Sequence, residues 1–497
     1  MRLPMVRGIR PAGLSSWLEW PHPISQNWTF SSGKAHATIA PHVLQFGEAT
    51  MIRRSTPRPP RPRICGQALA VSAALAMAVL GVTDGTPRVI AADGAADQAD
   101  PTALTTTEPC GQGANCEWAG TWATALTPAS LTDIGRSLSG FENESIRQIV
   151  QTSIGGDRVR VRLSNAYGDN DLTIGHATLA RPASPSAPDL DPRTIEELSF
   201  DGSPSVTVPR GTDVLSDPVR MLVPPLSQLA VTIYLPYPTG PASWHLIAQQ
   251  TAFVYAGDHA TEPSGDGYTS TPTHFYFLAG VEVRSQHGSD GAVAVLGASI
   301  SDGFGTTLDA NRRWPDFLAR RILRERHQGR DLSVLNLALA GNAVTHDGDE
   351  DGVPEFGRSG TVRLNDHVYV QPGVRTVIVD LGLNDIFRFD DPPDRIIGGL
   401  QQIAAELRQR GIRVLLATLS PAEGPDTWTP EREATRQAVN AYIRTTDDAD
   451  GVVDADRALR DPSHPTRLNP RFFSGDAVHP NDLGSRAIAR VVPLWLL

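Results

Sequence analysis

From Val293 to the C-terminus, short apolar runs alternate with stretches of helical spacing, and this alternation narrows the fold more than any other feature. Val293–Leu296, Ser333–Leu337, Arg375–Leu381, Val414–Leu419 and Val452–Val453 read as strands. Between and after them, Trp314–Arg326, Ile396–Leu407 (stopped by Gly411), Glu431–Ile443 and Leu483–Val491 read as helices. The pattern predicts a parallel, doubly wound α/β/α sheet over residues 290–497, with ligands bound at the C-terminal ends of its strands.

Upstream, from Trp118 to Arg284, the period is two. Val159, Val161 and Leu163 alternate with Arg158, Arg160 and Arg162, and Val231, Ile233 and Leu235 alternate with Thr232 and Tyr234. Turn clusters such as Ala183–Asp191 and Pro236–Pro241 punctuate these runs. Short alternating strands with regular turns predict an all-β, jelly-roll-like sandwich over residues 118–285. The arginine stripe reads as a solvated strand face, with anion or carbohydrate binding as the sharper alternative. Trp244 and His245 read as core or edge residues, with stacking against a sugar as the alternative, and Ser285–Gly291 reads as a compact linker between the two domains.

The chain has 497 residues and a formal charge of −11, a balance that argues against a nucleic-acid partner. Arg53, Arg54, Arg58, Arg61 and Arg63 precede the apolar run Ala68–Val82, and small residues follow up to Ala91. That is the order of a secretory signal, so residues 51–91 read as a signal peptide and residues 1–50 as an over-extended start or disordered leader. The alternative is an uncleaved anchor at Ile64–Val82; with cleavage, no stable membrane partner is expected. Residues 92–117 read as a linker, in which Cys110 and Cys116 close a short loop as a disulfide, with free thiols as the alternative.

Four strand ends or neighbouring loops carry chemistry-bearing residues. They are Gly297-Ala298-Ser299, the Asn336–Asn342 segment with its Gly341, Gly382-Leu383-Asn384-Asp385, and Asp476-Ala477-Val478-His479. Acyl transfer needs what these supply. Ser299 is a candidate nucleophile, His479 its base, and Asp476, three residues earlier, the group that orients the ring. The Ser299 and Gly341 backbone N–H groups and the Asn384 amide are candidate oxyanion donors.

These blocks resemble, in order, those of the SGNH (GDSL-type) hydrolases. The resemblance covers about 290–497 and assigns the four name-giving roles to Ser299, Gly341, Asn384 and His479, with Asp476 completing the triad. It implies a flavodoxin-like α/β/α domain and a secreted serine esterase with no cofactor. The Trp118–Thr124 and Arg160–Tyr167 stretches are similar to the sandwich that precedes the hydrolase in secreted bacterial members. Substrates implied are short acyl esters, such as O-acetyl groups on polysaccharides, or lipid esters. One departure stands out: Ala298 occupies the position where the family usually has Asp, which leaves an inactive carbohydrate-binding surface protein as a rival reading. Asp302 reads as a cap on the following helix, with help to the site as the alternative. The acidic run Asp347–Gly352 mimics the start of a calcium loop, but Arg358 holds the twelfth position, so a solvated acidic loop overhanging the site is expected and no metal is assigned, with bound calcium as the alternative. A glycosidase pair of Asp302 and Asp476 would leave Ser299 and His479 without roles.

Overall fold

The computed structural model describes residues 116–271, 273–325 and 331–497, all of which fall within one packing unit. The expected leader, signal peptide and Cys110 lie outside the described residues. Among the described residues, no helix is long and apolar enough to cross a membrane.

Two antiparallel sheets come first. One orders Cys116–Ala123, Leu278–Ser289, Gly156–Ser164 and Asp213–Leu215, with Val219–Val223 also pairing on Gly156–Ser164. The other orders Thr269–Thr271, Ala252–Ala256, Glu144–Gln151, Gln228–Leu235, His176–Ala180 and Glu196–Glu197. Alternation sends Val159, Val161, Leu163, Val281 and Val283 of the first sheet into one core with Ile146, Val150, Leu179, Val231 and Ile233 of the second. Trp244 is fully buried in that core. The arginines on the opposite face are not simply solvated. Arg160 and Arg162 grip the buried carboxylate of Glu282 at 2.6 and 2.7 Å, and Arg160 lies over the Trp118 ring. The like charges are tolerated because Glu282, on the strand between them and Trp118, neutralises them.

The sheet of the C-terminal region is parallel and orders Leu332–Asn336, Gly291–Gly297, Val374–Asp380, Arg413–Ala417 and Gly451–Val453. Counted along the chain this is 2-1-3-4-5, the flavodoxin-like arrangement, whose switch point lies between the first and third strands. Helices Pro393–Gln409 and Pro430–Thr445 bury Ile396, Leu400, Ile403, Val439 and Ile443 on one face of the sheet. Helices Trp314–Glu325 and Asp482–Val491 bury Trp314, Leu318, Ile322 and Ile488 on the other. Burial on both faces is why these strands are largely apolar.

No linker separates the two regions. The strand Leu278–Ser289 runs through the polar stretch expected to be loop, and Asp290 alone stands between it and Gly291–Gly297. Asp290 is held from both sides: its N–H donates to Asp331 O at 3.1 Å, and its Oδ2 accepts from Asp331 N at 2.7 Å. Gly291, at φ +114°, makes the turn; a Cβ there would fall 2.8 Å from Gly373 O.

Candidate active site

The strand Gly291–Gly297 ends at the switch point, and Ser299 opens a single helical turn, Ser299–Asp302. Ala298 before it is extended (φ −115°, ψ −157°), so the chain leaves the sheet and coils at once. As the first residue of a helix, Ser299 has a backbone N–H with no partner inside that helix. With alanine at 298, bracing beneath the turn comes from Ser301, whose hydroxyl donates to Asp380 Oδ2 at 2.6 Å and accepts from Trp314 Nε1 at 2.8 Å. Burial pushes the Asp380 carboxyl up, and these bonds oppose the push.

The loop before the last helix brings the remaining groups. His479 Nε2 lies 2.8 Å from Ser299 Oγ, and its Nδ1 lies 2.7 Å from Asp476 Oδ2. Asp476 Oδ1 accepts the backbone N–H groups of Val478 and His479 at 2.9 and 2.7 Å. Burial raises the Asp476 carboxyl, but the ring and these N–H groups win and hold it below the usual carboxylate range. An ionised Asp476 facing Nδ1 keeps the proton on that nitrogen and leaves Nε2 free to accept from Ser299. The Phe304 ring packs against His479 at 4.5 Å between centroids, and Ser474 Oγ donates to His479 O at 2.8 Å. Neither Asp476 nor His479 caps the helix Asp482–Val491; Asn481 does, accepting from Leu483 N and Gly484 N.

The turn carrying Gly341 lies alongside, tied to the first strand by Leu339 N–H donating to Gly297 O at 3.1 Å. Gly341 has φ +76°, and a Cβ there would fall 2.3 Å from the Phe356 ring, so only glycine fits. Asn384, on the helix Leu383–Phe389 after the third strand, donates through Nδ2 to Asn342 O at 2.8 Å. One of its two amide hydrogens remains for another acceptor. Next to it the buried Asp385 accepts from Val344 N and Thr345 N, and burial pushes its carboxyl up against those bonds.

One expectation is corrected at this site. Asp302 is no helix cap: it is buried, its Oδ1 lies 2.9 Å from His245 Nε2, and its Oδ2 accepts from Ala340 N at 2.9 Å. The acidic run is exposed from Asp349 to Gly352, as expected of a solvated loop near the site, and it is ordered. Gly348–Asp351 is a 3-10 turn capped by Asp347; Asp351 pairs with Arg388 at 2.5 Å and Glu350 lies 2.7 Å from His346 Nδ1. Among the described residues, no group of His, Cys, Asp and Glu is arranged to hold a metal ion. Arg388 itself was not foreseen. It donates to Gly341 O and lies over the Phe356 and Phe389 rings, and nothing local in the sequence marks it.

A serine, a histidine and a carboxylate in hydrogen-bonded series can generate an alkoxide-like nucleophile, and the neighbouring N–H groups can receive the charge it creates. Residues 295–487 match the family model described as GDSL-like Lipase/Acylhydrolase. Among solved structures the chain is similar to a GDSL-like lipase from Bacteroides thetaiotaomicron, at 17% identity over 42% of this chain and 88% of that one, TM-score 0.31. It is similar to the psychrotrophic esterase EstA from Pseudoalteromonas at 16% identity, over 40% of this chain and 93% of that one, TM-score 0.31. A third is a mutant of an acetyl-xylooligosaccharide esterase from Geobacillus, at 21% identity, over 41% of this chain and 93% of that one, TM-score 0.31. No curated protein matches the chain.

Proposed function

Taking residues 295–487 as a GDSL-like lipase/acylhydrolase domain, we propose that the protein is a serine ester hydrolase that forms an acyl-enzyme on Ser299. The observation that carries this reading is the series Ser299 Oγ, His479 Nε2, His479 Nδ1, Asp476 Oδ2, with steps of 2.8 and 2.7 Å. His479 takes the Ser299 proton as Oγ attacks the ester carbonyl, and Asp476 stabilises the imidazolium that forms. The oxyanion is received by the N–H groups of Ser299 and Gly341 and by the free hydrogen of the Asn384 amide. Collapse expels the alcohol, which takes its proton from His479, and a water activated by the same ring then hydrolyses the acyl-enzyme.

Short acyl esters are the substrate class we favour, with O-acetyl groups of polysaccharides suggested by the attached sandwich. Export follows from the Arg53–Ala91 pattern. Ser299→Ala is expected to lower turnover of p-nitrophenyl acetate by about 10³-fold or more. It should also abolish labelling by a fluorophosphonate, while wild-type-like activity in that variant overturns the reading. A panel of acyl chain lengths then separates the substrates: preference for acetyl supports a carbohydrate esterase, and preference for long chains a lipid esterase.

A further inference from the structure

The ring of His245, on the sandwich segment Trp244–His245, is 3% exposed and enclosed by oxygen atoms. Nδ1 lies 2.8 Å from Ala125 O, and Nε2 lies 2.9 Å from Asp302 Oδ1 and 3.1 Å from Ile247 O. The two carbonyls only accept, so both ring nitrogens carry hydrogen and the ring is an imidazolium neutralised by Asp302. Burial alone would strip that proton; the Asp302 charge and the hydrogen bonds to Asp302, Ala125 and Ile247 hold the ring above its ordinary value. The second Asp302 oxygen accepts from the N–H of Ala340, the residue before Gly341. Asp302 itself ends the helical turn that Ser299 begins.

We propose that His245 is a positioning residue supplied by the sandwich: through Asp302 it fixes the Ala340–Gly341 turn so that the Gly341 N–H points where the oxyanion forms. This rests on the acyl-transfer reading. An oxyanion donor helps only if it is aimed before charge develops. A carboxylate held by one oxygen on an imidazolium cannot rotate its other oxygen away from Ala340. Freed of that partner it would be a buried, half-satisfied charge, which is relieved by moving or by taking up a proton. The sandwich thereby enters the chemistry without touching substrate.

The test compares His245→Gln, Asp302→Asn, the double variant, Ser299→Ala and, as a control remote from the turn, Arg160→Gln. Each is assayed on p-nitrophenyl acetate below its unfolding transition. The expected result is a fall in kcat of about tenfold to a hundredfold in His245→Gln and Asp302→Asn at nearly unchanged KM. The double variant falls no further than the worse single one, and Arg160→Gln keeps wild-type kcat even if its Tm drops. If Ser299→Ala retains turnover, the acyl-enzyme reading fails, whatever the other variants do. If Ser299→Ala is inactive and folded His245→Gln stays within about twofold of wild type, or Arg160→Gln falls equally, the positioning role is overturned. Should His245→Gln not fold, the nearly isosteric Asp302→Asn is judged by the same criteria. Amide exchange in the wild-type protein needs no variant: Ala340 N–H is expected to exchange as slowly as the core strands, and exchange at the rate of surface turns overturns the proposal.

Discussion

Gly341 concentrates the demands of the site in one residue. Its φ of +76° and the Phe356 ring 2.3 Å from any added Cβ forbid a side chain. Gly341→Ala is therefore expected to lower kcat by about 10²-fold, as the donor is displaced from the oxyanion. Gly352→Ala is the comparison: φ is +81° but nothing lies within 4 Å, so only backbone strain of about 1 kcal/mol is added and turnover is unchanged. Steady-state kinetics on the two variants checks both. That Gly341 sits in a turn near the nucleophile was legible from its place after an apolar strand. The Phe356 wall was not, because it comes from a segment fifteen residues on whose local pattern says nothing about where it packs. Asp302 shows the same limit. Its position three residues after Ser299 looked like capping, but its partners are His245 and Ala340, which only the folded chain brings near.

Elements were more legible than residues where burial is symmetric. The five strands of the parallel sheet are largely apolar because helices cover both faces, and all five are readable to within a residue or two. The polar last stretch of the strand Leu278–Ser289, whose Ser289 pairs opposite Cys116, hides its full length in the sequence beyond Arg284. Polarity there reflects the open end of a sheet. Two buried neutral histidines bear on the sandwich, one from outside it and one within it. In the segment Leu364–Val368, His367 Nε2 donates to Leu126 O at 3.1 Å, and burial pushes its ring down to about 3. His274 donates to Leu246 O, and burial pushes it to about 4. Both folded values lie below the unfolded value of about 6.5, so the unfolded chain binds the extra protons. Stability is fully present above pH ~6.5 and falls as pH drops toward 4, by up to about 1.4 kcal/mol per pH unit for each ring. Thermal melts across that range should show the slope, and His367→Gln should make it shallower.

At the scale of the whole molecule the sandwich acts as a wall of the α/β region. Ala123, at the end of the strand Cys116–Ala123, belongs to the same apolar core as Leu335, Leu337 and Leu296 of the parallel sheet. Gly120 lies so close to Leu335 that a Cβ would approach its methyl group to 3.0 Å. Val334 N–H donates to Ser153 Oγ at 3.1 Å, and Arg313 donates to Ala248 O at 2.8 Å. A chain trimmed to residues 290–497 would expose this surface and orphan Asp302. It is expected to be insoluble or inactive, whereas the chain from residue 92 should melt in one cooperative transition by calorimetry. Sequence patterning separated the two regions correctly in kind, since period two gives way to apolar runs and helices. It could not reveal the seam, whose bonds join residues up to 241 positions apart.

The single-residue junction at Asp290 bears on the order in which the molecule assembles. Leu278–Ser289 is the last sandwich strand to be synthesised, yet it lies in the middle of its sheet, between Cys116–Ala123 and Gly156–Ser164. Until it leaves the ribosome those two neighbours have no common partner, and the sheet cannot close. The strand that emerges directly behind it, Gly291–Gly297, is also interior, with partners on both sides that have not yet been made. Completion of the first half thus delivers the founding strand of the second against a finished surface before its own partners, Leu332–Asn336 and Val374–Asp380, have been made.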